Sequence, residues 1–104
     1  MESNNKKYNQ SFLNLVFLLS ASAWQSLGKI PNPVTNKIEK DLDNAKTVID
    51  TLEMLKEKTR GNLTPEEEKF ISNTLADLQL NYVDELNRST VEQSEKKNGN
   101  KETK

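Results

Sequence analysis

The sequence predicts a small all-α protein, with one apolar N-terminal helix followed by an antiparallel helical hairpin. Three observations predict it. Apolar residues recur at helical spacing in three separate stretches, glycine or proline punctuates the joins, and no stretch alternates with the period of a strand. A chain of 104 residues has room for one domain. Only 33% of its residues are hydrophobic and 30% are charged, and polar ends account for the dilution. Residues 1–10 and 88–104 hold hardly any core formers, so the expected three-helix domain is 11–87, between two disordered tails.

The first helix is expected over 11–29. Phe12 to Leu19 places seven apolar residues in eight positions, and Ala21, Ala23, Trp24 and Leu27 continue at helical spacing. Ser11 offers an N-cap, and Gly28 stands where a glycine closes a helix. Ile30-Pro31-Asn32-Pro33-Val34 follows, where each proline disfavours helical geometry in the residue before it, so an extended connector is expected. Asn36 with Glu39 fits a capping box that would open the second helix.

Over 36–60, Ile38, Leu42, Ala45, Ile49 and Leu52 recur at spacings of 4, 3, 4 and 3, a heptad seam. Val48 and Leu55 widen it, and Met54 stands off it. Lys37–Asp41 and Lys46–Asp50 are opposite charges four apart on the outer side. Gly61 ends the helix. Thr64-Pro65-Glu66-Glu67 then combines an N-cap, a proline at the first helical position, and a capping-box glutamate. Ile71, Leu75, Leu78, Tyr82 and Leu86 form the third stripe, flanked by Phe70 and Val83. The short Arg60–Thr64 join sets helices two and three as a hairpin.

Helix one carries more apolar surface than one hairpin can shelter. A bundle helix hides one stripe and wets the rest, yet this one is apolar all round from Phe12 to Leu19. Each large side chain left out forgoes about 1.5–3 kcal/mol of burial. The candidate interaction surface is therefore Phe12, Leu13, Val16, Phe17, Leu19 and Trp24. A second copy of the chain, a different protein or a membrane surface could cover it. The dense run is too short for a membrane span of about 20 apolar residues. A secretory signal over residues 1–23 is a further alternative, since Lys6 and Lys7 precede the run and Ala21-Ser22-Ala23 suits cleavage. Glu2, Asn14 and the loss of core that cleavage would cause argue against it.

The second candidate is a recognition loop of Gly28, Lys29, Pro31, Asn32, Pro33 and Thr35, stiffened by its prolines. Its plainer reading is a helix stop and restart.

The chain contains no His and no Cys. That removes imidazole bases, thiol nucleophiles and the usual zinc sites, so no catalytic residue, metal or cofactor is expected. Asp41 and Asp43 lack the glycine and terminal glutamate of a calcium loop. Glu66 to Glu68 are explained by the positive helix end they sit on. Asn62-Leu63-Thr64 fits a glycosylation pattern, but Thr64 already has a capping role. Segment 11–87 has eight Lys/Arg against twelve Asp/Glu, an acidic balance opposed to nucleic-acid binding. The expected function is that of a non-enzymatic interaction or scaffold module, as a homodimer or a small subunit of an assembly.

Three blocks carry a family resemblance: Leu27 to Thr35, Ile49 to Thr59, and Gly61 to Glu68. In order and content they resemble a bacterial family of short helical proteins, the domain of unknown function 1844 family, over about residues 11–86. The resemblance implies a cytoplasmic bacterial protein with an uncleaved first helix. It implies no activity, cofactor or site residue.

Overall fold

The computed structural model describes residues 8–102, with side chains described for residues 8–90. Among the described residues the fold has three helices: α1 Gln10–Ser26, α2 Leu42–Lys58 and α3 Pro65–Glu102. The expectations for residues 1–7, including Lys6 and Lys7, lie outside the described residues.

Helix α1 is capped by Asn9, not by Ser11. The Asn9 backbone is extended, and its Oδ1 accepts from the Phe12 N–H at 3.0 Å. Ser11 already lies inside the first turn, where its backbone is helical and its side chain cannot cap. At the other end Gly28 adopts φ +82°. Its N–H donates to the Gln25 carbonyl and the Lys29 N–H to the Trp24 carbonyl, each at 3.0 Å. That paired pattern satisfies two carbonyls the last turn leaves free, and it needs the left-handed residue that glycine supplies.

Helix α2 begins five residues later than the Asn36–Glu39 capping box suggested. Asn36 takes φ +60°, outside helical geometry, and Asn32 and Lys37 form an isolated antiparallel bridge. Glu39 is drawn into the connector, accepting from Asn32 Nδ2 at 2.9 Å and Thr35 Oγ1 at 3.0 Å. Asp41 is the true N-cap, accepting from the Asn44 N–H at 3.1 Å. The Asp41 N–H in turn donates to the Ser26 carbonyl at 2.8 Å, which pins the start of α2 to the end of α1. Ile38 is consequently exposed rather than part of the seam, and Lys37 and Asp41 both precede the helix.

Helix α3 opens as its local signals dictate. The Thr64 N–H donates to Glu67 Oε1 at 2.9 Å, and the Glu67 N–H donates to Thr64 Oγ1 at 3.1 Å. The second oxygen of Glu67 accepts the Asn9 N–H, so one buried carboxylate serves the first turns of two helices. Thr64→Ala is expected to lower stability by about 1 kcal/mol, read as a reduced urea midpoint. No change at all would contradict the cap. Beyond residue 87, where the sequence suggested the domain ends, helical backbone continues to Glu102. No proline interrupts this stretch, and its first glycine is Gly99.

The core lies where the three helices meet: Val16, Ala23 and Leu27 from the α1 side, Ala45, Val48, Ile49 and Leu52 from α2, and Ile71, Leu75 and Leu78 from α3. Burying these side chains supplies the main driving force for the fold. Met54 stays on the surface. Lys40, just before α2, meets Glu85, while Glu53 further along α2 meets Gln79. Position along α3 thus falls as position along α2 rises. Among the described residues, no buried side-chain nitrogen or oxygen lacks a hydrogen-bond partner.

Candidate functional site

Helix α1 is divided by its packing into an inner and an outer side. Val16 is fully buried, and with it Ser20, Ala23 and Ser26. The serines do not leave polar groups stranded. Ser20 Oγ donates to the Phe17 carbonyl at 2.9 Å, and Ser26 Oγ accepts from Asn44 Nδ2 at 2.6 Å. Val16 is therefore a core residue and leaves the candidate interaction surface, because it shares the inner stripe with Ala23 seven residues on. Phe12, Leu19 and Trp24 pack against the core while remaining partly open, and Leu13 is half-buried.

The outer side is where apolar surface remains. Leu18 is 66% exposed, Phe17 64% and Leu15 44%. Of these, only Phe17 stands in the candidate surface read from sequence. Leu15 and Leu18 were legible in principle. Phe12, Val16, Leu19 and Ala23 form one 4-3-4 stripe, and whatever lies opposite must face out. Around them Ser11 and Asn14 are exposed, while Ala21, Ser22 and Gln25, towards the end of the helix, are half-buried. From Gln10 to Ser26 there is no charged residue at all.

The connector presents a different picture. Lys29 Nζ lies 2.6 Å from Glu85 Oε2, and Lys40 Nζ lies 2.8 Å from Glu85 Oε1. The Lys29 ammonium, seconded by Lys40, holds the Glu85 carboxyl down at about 2, against burial, which pushes it up. Glu85 is 4% exposed, so α3 clasps both ends of the connector with one buried charge. Asn32 and Thr35 turn their side chains onto Glu39, and Asn32 Oδ1 also accepts the Val34 N–H at 2.8 Å. The polar groups of the recognition loop are thus engaged within the chain. Gly28 closes α1, and Pro31 and Pro33 are exposed, as is Val34.

Sequence reasoning passed over Glu85. A seam running Ile71, Leu75, Leu78, Tyr82 can continue at 85 or 86, and hydrophobicity favoured Leu86. The structure puts Glu85 inside and leaves Leu86 exposed, because two lysines bracket the connector at that level. Among the described residues, no group of three or more acidic side chains is placed to hold a metal ion. No helix among them is long and apolar enough to cross a membrane.

A family model described as Domain of unknown function (DUF1844) matches residues 9–84. The matched stretch starts at the α1 cap and ends within α3, taking in the outer face of α1 and the whole connector. No curated protein matches the chain. No solved structure matches it either.

Proposed function

The chain belongs to the family described as Domain of unknown function (DUF1844), and from that premise we propose that it is a non-enzymatic interaction module that holds a protein partner against the outer face of α1. One observation carries the reading: Leu15, Phe17 and Leu18 stand exposed on a helix without a single charge. Leu15 and Leu18, three apart, are neighbours on the helix surface, and large apolar side chains left out so close together on a small domain mark a binding face. The chemistry argues the same way. A chain without His or Cys lacks the commonest bases and nucleophiles.

The proposal sets the protein in the cytoplasm. Cleavage after Ala23 would take Val16, Ser20 and Ala23 out of the packed side of α1. Membrane-surface helices combine an apolar face with lysine or arginine beside it, and α1 has neither cation. A protein surface is the better match.

The test is the mass and composition of the protein purified under mild conditions, beside a Leu18→Lys variant. The expected wild-type species exceeds the 11.9 kDa of a single chain and contains a stoichiometric protein partner, either another copy or a different chain. The variant should lose that partner while keeping its circular dichroism, since Leu18 touches the core little. A wild-type monomer without a stoichiometric partner would end this reading, as would a variant that keeps its partner.

A further inference from the structure

We propose that the connector, residues 28–41, is a strap that swings away from α3 as one piece when Glu85 loses its charge, while the core of the three helices stays closed. The device is independent of the docking face on α1.

The connector keeps its shape without a core. None of residues 28–41 is buried, and Ile30, Val34 and Ile38 stand exposed. Its base is closed by the Asp41 N–H, which donates to the Ser26 carbonyl at 2.8 Å. Within the loop the Asn32 N–H donates to the Lys37 carbonyl at 2.8 Å, and the Asn36 N–H to the Asn32 carbonyl at 2.6 Å. Glu39 gathers the side chains of Asn32 and Thr35. A loop whose ends meet and whose bonds are internal behaves as a unit. Every side chain of the packed core comes from outside it, so its departure takes nothing from that core. Segments with few buried apolar contacts are the ones that open locally while the rest of a domain stays folded.

Charge fastens the strap. Among the described residues, the ion pairs between connector and α3 both end on Glu85, from Lys29 near one end of the loop and Lys40 near the other. Lys40 crosses directly over Gly28, where a side chain would meet its Cβ at 3.4 Å. Glycine at that position therefore gives the first end of the strap both its pivot and the room for the second lysine. The other charges nearby are engaged elsewhere or absent. Helix α1 has none. On α3, Asp84 and Arg88 pair with each other at 3.2 Å. Asp41 caps α2, and Asp43 beyond it is exposed. A buried carboxylate needs both ammonium groups while it is ionised, and a neutral one no longer holds them. Because Lys29 and Lys40 keep Glu85 ionised down to about 2, the strap is shut at neutral pH and opens in acid.

Nitrogen-15 relaxation of the full chain tests this, because it reads mobility on the folded molecule and is blind to a small unfolded fraction. In the parent at pH 7, backbone order parameters between Ile30 and Glu39 are expected near the value of about 0.85 typical of rigid backbone. In Glu85→Gln at the same pH they should fall below about 0.6, while Val48 to Leu52 and Ile71 to Leu78 keep theirs. A slower swing would show instead as exchange broadening confined to the same connector amides, and would equally support the strap. The parent should loosen in the same way on acidification. Acid also neutralises Glu39 inside the loop, so the variant at pH 7 is what isolates Glu85. Should Glu85→Gln fail to fold, Lys29→Gln combined with Lys40→Gln removes the clasp from the other side and should loosen the same amides. A connector as rigid in the folded variant as in the parent would overturn the proposal. So would a connector already loose in the parent at pH 7, or core amides that loosen together with it.

Discussion

Truncating Leu52 to alanine should cost about 2–5 kcal/mol of folding stability. Leu52 is fully buried, on the α2 face that meets both other helices. Its removal takes methyl groups out of an apolar site and leaves a cavity that the surrounding side chains fill only in part. A chain this small has about 5–15 kcal/mol of stability in total, so the loss is a large share of it and the variant should sit near the edge of folding. The measurement is urea denaturation followed by circular dichroism, with the midpoint falling and the slope unchanged. Met54→Ala, two residues on, is the internal control. Met54 is largely exposed, and its replacement should stay within about 0.5 kcal/mol of the parent. Equal losses at the two positions would contradict the core described above.

Glutamate 85 should make the protein acid-sensitive in a defined window. Its carboxyl is held at about 2 in the folded chain, chiefly by Lys29 and then by Lys40, below the ordinary value of 4.5. A group whose folded value is depressed contributes its stabilisation in full above the ordinary value. That contribution is lost as pH falls from the ordinary value towards the folded one. Stability should therefore decline from about pH 5 towards pH 2. Both lysines are about a third exposed, so water screens part of the attraction. Glu85→Gln should cost about 1–2 kcal/mol at pH 7. The variant should approach the parent as pH falls, since protonation leaves the parent equally uncharged at this site. A difference between the two that stayed constant from pH 7 to pH 2 would rule out the ion-pair account.

The helices themselves were legible in the sequence where local chemistry and packing agree. Thr64, Pro65 and Glu67 specify the start of α3 within a few residues of chain, and the structure realises all three signals. The stripe Ala45, Val48, Ile49, Leu52 reads as an inner face and is one. What escaped depends on contacts distant in sequence. The start of α2 is set by the bond from Asp41 to the end of α1, and no periodicity within 36–60 registers it. Glu85 lies inside because Lys29 and Lys40 wait there, a fact that hydropathy along α3 cannot contain. The candidate site was half legible for a similar reason. The crowding of apolar residues in α1 announced surplus surface, but which of Val16 and Leu18 faces inward is decided by where the other two helices lie.

The carboxylate of Glu67 joins two entrances of the domain, holding the backbone of Asn9 with one oxygen and of Thr64 with the other. Fraying at the beginning of α1 is thereby transmitted to the beginning of α3, although 58 residues of chain separate Asn9 from Glu67. Each helix keeps a cap of its own, Asn9 Oδ1 on the Phe12 N–H and Thr64 Oγ1 on the Glu67 N–H, and the shared carboxylate ties the two caps together, so its removal should loosen both ends at once.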